Sequence, residues 1–71
     1  MSASADFQKG ITAHKGGDYA TALREFQSFA EQGNAAAQYN LGVMYEKGFG
    51  IPKDYKTAVK WFKLAAKQGM E

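Results

Sequence analysis

The stretch AAAQYNLGVMYEKGFGIPKDYKTAVKWFKLAAKQG, residues 35–69, holds two helical patterns separated by a glycine-containing turn. Its second half places Tyr55, Ala58, Val59, Phe62, Ala65 and Ala66 at the i, i+3, i+4, i+7 spacing of an amphipathic helix. Asp54 ahead of that helix can accept hydrogen bonds from the free N–H groups of the first turn, and Gly69 behind it can take the left-handed conformation that closes the last. The first half predicts a shorter helix over about residues 35–47, capped by Asn34 and carrying Gly42 in its middle. Glycine there costs about 1 kcal/mol relative to alanine, so Gly42 predicts close packing against another backbone, with Ala58 as its small partner. Between the halves, Gly48 and Gly50 permit unusual dihedrals and Pro52 keeps helix from restarting before Asp54. Phe49 and Ile51 are expected to tuck back over the hairpin.

Working outward, the same pattern recurs upstream. At an offset of 36, eight of the seventeen positions from 18 to 34 are identical, including Asp18, Tyr19, Ala22, Phe26, Gln32 and Gly33. Further upstream the best offset is 32, where Gly10 lies over Gly42, Ile11 over Val43, and Phe7 over Tyr39. Self-similarity at this period is the mark of a solenoid. The expected fold is therefore all-α, two antiparallel helix-turn-helix repeats of four helices in total, the first helix over about residues 5–15. Residues 6–34 form the first unit, residues 35–70 the second, and residues 1–5 a tail.

The second unit resembles a Sel-1-like repeat. The small residues before Gln38-Tyr39, then Leu41-Gly42, Met44-Tyr45, Gly48-Phe49-Gly50, Asp54, Trp61, Ala65-Ala66 and Gly69 all follow that family's pattern. The first unit departs from it, with Lys9 in place of Leu41, Ala13 in place of Tyr45, Glu25 in place of Trp61, and no Gly-x-Gly loop. It is closer to a tetratricopeptide-type hairpin, and such a degenerate unit is what an N-terminal capping repeat looks like. The resemblance implies a right-handed α-solenoid that binds other proteins without catalysing a reaction. It also implies that the first helices line a concave groove.

Composition narrows the chemistry in the same direction. The 71 residues include no cysteine and a single histidine, which leaves no disulfide framework, thiolate metal site or cysteine nucleophile. A chain this short buries only about 60% of its unfolded surface and has little room for an enclosed active site. The acids are dispersed, and Asp18 and Asp54 are accounted for as helix caps, so no general acid and base pair emerges. Neither an enzyme nor a cofactor is expected. Gly48-Phe49-Gly50 lacks the third glycine and the Gly-Lys-Ser/Thr ending of a phosphate loop. The net charge of +2 is small for a nucleic-acid module, and no nucleic-acid partner is expected. No apolar run reaches the roughly 18 residues of a membrane span. Ala3 and Ala5 fit the small-residue pattern of a signal-peptide cleavage site, so the tail reads as the remnant of an export signal, with a plain small-residue tail in the cytoplasm as the alternative.

Two surfaces are candidates for partners. The groove carries Phe7, Ile11, His14 and Lys15 from the first unit and Tyr39, Val43, Glu46 and Lys47 from the second, a mixed apolar and charged face suited to a peptide or partner protein. His14 taken alone reads as a surface residue that complements the helix dipole. The other surface is the open side of the last helix, where Tyr55, Val59, Phe62 and Ala66 are expected to support a homodimer or the next unit of a longer array. Residues 1–35 sum to a charge of −1 and residues 36–71 to +3. Lys56, Lys60, Lys63 and Lys67 recur at helical spacing and predict a solvated ridge opposite the apolar face of the last helix.

Overall fold

The computed structural model describes residues 6–69. The expected tail, residues 1–5, and with it the export reading, lies outside the described residues. Four helices follow one another: α1 (Phe7–Lys15), α2 (Tyr19–Glu31), α3 (Ala35–Lys47) and α4 (Tyr55–Lys67). Each packs against the next, so that α1 and α2 form one hairpin, α3 and α4 a second, and α2 seats α3. Among the described residues there is no strand. The architecture is a two-repeat helical solenoid.

The ends of the helices show why the chain divides as it does. Asp6, Asp18, Asn34 and Asp54 each accept a hydrogen bond from the backbone N–H three residues on, satisfying a donor that the first turn leaves free. At the close of α2 the N–H of Gly33 donates to the carbonyl of Ala30 and that of Asn34 to the carbonyl of Phe29. This paired closure makes Asn34 at once the last residue of one helix end and the cap of the next.

The Asp18 carboxyl is held below its ordinary value of 3.8 by hydrogen bonds from the side chain and then the backbone of Thr21, and Asp54 likewise by Thr57. A carboxylate whose pKa is depressed by folding stabilises the fold above its unfolded value and loses that contribution as pH falls through the folded one. The melting temperature should therefore drop as pH goes from about 4 toward 2. Asp18→Asn with Asp54→Asn keeps the capping oxygens without the titration, so the double variant should show a shallower drop by circular dichroism. An unchanged drop would remove these caps as its source.

Two apolar clusters form the core. Ala22, Phe26 and Met44 lie buried beneath Phe7, Ile11, Tyr19, Phe49 and Ile51, and Ala30, Ala37 and Leu41 beneath Leu23, Phe29, Tyr45 and Trp61. The Gly48–Pro52 turn does tuck back, and it crosses onto the first hairpin: the Phe49 ring stacks on Tyr19 at 4.9 Å between centroids.

Gly42 is close-packed, but against Phe62 where Ala58 was expected, and Gly10 is packed in the same way against Phe26. A Cβ at Gly42 would stand 2.7 Å from Cε1 of Phe62, and one at Gly10 2.9 Å from Cε1 of Phe26. The missing side chains make room for a phenylalanine ring one turn beyond Ala58 and Ala22. Those alanines are themselves buried.

The departures of the first unit from the second form a matched set. Leu41 and Trp61 belong to one apolar cluster, and their counterparts Lys9 and Glu25 in the first unit approach each other at 4.0 Å. Glu25 is buried, and its Oε1 accepts the N–H of Asp6 at 2.8 Å. Where one repeat has two members of an apolar cluster, the other has an ion pair and a helix-end hydrogen bond.

Candidate functional site

The site expected on the first helices has a pocket at its centre. Ile11, His14 and Lys15 of α1 stand on one side, Asn40 and Val43 of α3 on the other, and Phe26 of α2 at the base, enclosing about 120 Å³. The walls follow from helical spacing: Ile11, His14 and Lys15 fall at i, i+3 and i+4, and Asn40 and Val43 at i and i+3, so each set lies on one face. The interior is apolar, with one ammonium at Lys15 and one carboxamide at Asn40 to orient a ligand.

His14 differs from the surface residue read from the sequence. It does lie in the last turn of α1, where a cation complements the dipole. Yet its ring is partly buried among Tyr19 at 5.3 Å, Phe49 at 5.2 Å and Phe26 at 6.4 Å between centroids. Its Nδ1 is buried with no hydrogen-bond partner. The aromatic residues that enclose it come from α2 and from the turn of the second repeat, so no reading of α1 alone could place it there.

The remaining groove residues divide. Phe7 is partly buried and does not line the pocket: its ring packs against Phe26 at 5.7 Å and Phe29 at 5.8 Å, touching both core clusters. Tyr39 is 49% exposed, its ring tilted against Phe62 at 5.4 Å. Glu46 and Lys47 are exposed at the end of α3 and do not line the pocket. On α4, Tyr55 and Val59 are 64% and 48% exposed, whereas Phe62 is partly buried. Tyr55, placed by the spacing on the open side of the last helix, is exposed there. Its counterpart Tyr19 is partly buried, with the Phe49 ring stacked on it and His14 beside it.

The sequence reading missed Asn40 and Phe26 as pocket residues. Asn40 could have been found, since it stands three residues before Val43 on the same helical face. It also missed a carboxamide chain: buried Gln38 donates to the Ala30 carbonyl at 3.1 Å, and Gln68 donates to the Gly33 carbonyl at 2.6 Å and to Gln38 Oε1 at 3.1 Å. These bonds tie the end of α4 to the α2–α3 junction. Among the described residues no three His, Asp or Glu side chains gather as metal ligands, and no helix is long and apolar enough to cross a membrane.

The Sel1 repeat matches residues 35–70, about half of the chain. The chain belongs to the Sel1 repeat family. Sel1 repeats are non-catalytic helical units that mediate protein-protein interaction. Over 45 residues the chain is 47% identical to DAP3-binding cell death enhancer 1 of Rattus norvegicus and 40% identical to the ERAD-associated E3 ubiquitin-protein ligase component HRD3 of Candida glabrata. Each alignment spans 63% of this chain but only 9% and 5% of the relative's length. Chitin synthase regulatory factor 3 of Schizosaccharomyces pombe is 47% identical over 38 residues, 54% of this chain and 4% of its own. No solved structure gives a significant match. The Sel1 unit thus comprises α3, the turn and α4, and the pocket lies where that unit meets the hairpin before it.

Proposed function

We propose that this Sel1 repeat chain is a protein-binding adaptor that holds a peptide or partner protein on the face formed by α1 and α3, with an apolar side chain of the partner seated in the pocket over Phe26. The observation that carries the proposal is the convergence of Ile11, His14 and Val43 from two repeats on one small apolar recess. A recess of about 120 Å³ suits one branched aliphatic side chain. Lys15 beside it selects a carboxylate next to that side chain, which sets orientation and register. Two of the relatives carry names that speak of binding or of membership in an assembly, and this supports the same reading. In it, residues 6–34 act as a degenerate first repeat whose job is to complete the pocket of the Sel1 unit.

The test is selection of peptides from a random library on the immobilised chain, followed by affinity measurement with Ile11→Ala and Val43→Ala together. Both residues are only partly buried, so helicity should persist. Loss of two apolar anchors should weaken the selected peptides by about tenfold to a few hundredfold. Equal affinity for parent and variant would place recognition elsewhere.

A second reading, a structural or self-associating segment of a longer array, is favoured by the exposure of Tyr55 and Val59. It has its own readout, a mass that rises with concentration in light scattering and returns to that of one chain in Val59→Glu.

A further inference from the structure

We infer that the open side of α4 is a docking surface for an amphipathic helix of a partner protein whose apolar stripe is bordered by carboxylates. The internal repeat supplies the comparison. On α2, Phe26 and Ala30 are buried and Tyr19 and Leu23 partly buried, packed in clusters with Met44, Ala37 and Leu41 of α3 and with Phe49 of the turn. Their counterparts on α4 are Tyr55, Val59, Phe62 and Ala66, and of these Tyr55, Val59 and Ala66 are exposed. The same stripe that seats a helix in the first repeat stands open in the second. Helix is therefore the shape that fits it.

The charge beside the stripe differs between the two repeats, and it decides the chemistry of the occupant. Next to the α2 stripe stand Ala20, Arg24, Gln27 and Glu31, which carry no net charge. The equivalent positions of α4 are Lys56, Lys60, Lys63 and Lys67, all exposed. These lysines are exposed and lie opposite the buried Ala58 and Ala65, and the ridge they form also flanks the exposed stripe. Lys56 precedes Val59 by three residues and Lys63 follows it by four, so both border the exposed edge of the stripe. A helix laid on Tyr55 and Val59 therefore runs beside the ammonium groups of Lys56 and Lys63, with Lys60 and Lys67 farther round α4, and carboxylates on its near flank complement them.

The alternatives fit less well. A helix like α3 presents Ala37, Gln38, Leu41 and Met44 to its seat and offers nothing to the lysines. A second copy's α1 has Lys9 and Thr12 at the positions of Leu41 and Met44, polar groups that would be pressed onto Val59. Two α4 helices packed antiparallel would set Lys56 and Lys63 of each against the lysines of the other.

The probes are three synthetic peptides: an amphipathic helix with a leucine stripe flanked by glutamates, the same helix with lysine flanks, and a scramble of the first that has the same charge but no stripe. Titrated into the full chain and followed by amide chemical shifts, the glutamate-flanked helix should bind about tenfold or more tightly than either control. The largest shifts should fall on Tyr55, Val59 and their neighbours, with weaker binding at high salt. Lys56→Glu with Lys63→Glu, both at exposed positions, should reverse the preference between the two flanks, whereas Val43→Ala should leave it unchanged. Equal affinity for all three peptides, equal affinity for the glutamate helix and its scramble, or dimerisation of the chain itself through α4 in light scattering would each overturn the inference.

Discussion

Phe26→Ala should leave the chain largely unfolded at room temperature. The ring is 1% exposed, sits in the cluster with Ala22 and Met44, meets Phe7 and His14, and occupies the space that Gly10 leaves open. Truncating a buried phenylalanine costs about 3–5 kcal/mol through lost transfer energy and the cavity left behind. A core of fewer than about 80 residues rarely contributes more than about 3–5 kcal/mol net, so the loss is comparable with the whole stability. Urea titration followed at the helical circular dichroism band measures it. Phe62→Ala is the internal control: the same position in the second repeat, opposite the same kind of glycine, but only partly buried. It should cost clearly less. Phe26→Leu, which keeps most of the volume, should fold with a lowered midpoint, so the comparison stays measurable where the alanine variant does not fold. Equal effects at positions 26 and 62 would contradict the deeper burial of Phe26.

Gly50→Ala should be the most damaging single methyl group in the Sel1 unit. Gly50 has φ +75°, in the left-handed region, where a side chain costs about 1–2 kcal/mol. The added Cβ would also stand 2.6 Å from Cβ of Tyr19, an atom fixed to the α2 backbone that cannot swing aside. Overpacking of this kind costs about 1–3 kcal/mol more. The turn would have to lift from the first hairpin, taking the Phe49 ring off Tyr19 and away from His14. The expected result is a fall in melting temperature of about 10 °C or more, with the near-ultraviolet signal of Tyr19 changing in parallel. Gly69→Ala separates the two causes, since Gly69 also has positive φ, at +85°, but nothing within 4 Å of the added methyl. It should show the backbone cost alone. A loss at Gly50 no larger than at Gly69 would mean that the contact with Tyr19 does not hold the turn in place.

Most of the fold was legible because the information that specifies it is local. Each capping residue acts on an N–H three positions away, each stripe recurs within one turn, and the repeat offset aligns the two hairpins without knowledge of any distant contact. The helices read at Asp18, Asn34 and Asp54 begin where the caps place them. The candidate site was legible in part. Ile11, His14, Lys15 and Val43 could be assigned to the faces of their own helices, and they do line one recess. Phe7 and Tyr39 occupy matching places in the alignment, yet Phe7 is partly buried against the core and Tyr39 is half exposed. Phe7 is drawn inward by Phe26 and Phe29, and Tyr39 has Phe62 but no second aromatic such as Phe29, because the counterpart of Phe29 is Ala65.

What the sequence determined by itself, then, is the list of helices, their ends, the pairing into two hairpins and the family to which the second belongs. Only the tertiary structure decided that the Phe49 turn closes over Tyr19 and His14, that Lys9 and Glu25 pair where the second unit has Leu41 and Trp61 in an apolar cluster, and that the α4 lysines border an open apolar stripe. The physical reason is range. Caps and helical stripes are settled by neighbours within four residues, whereas a side chain's surroundings depend on which surfaces the hairpins bring together, and two aligned positions can receive opposite neighbours when one repeat is covered and the other is open.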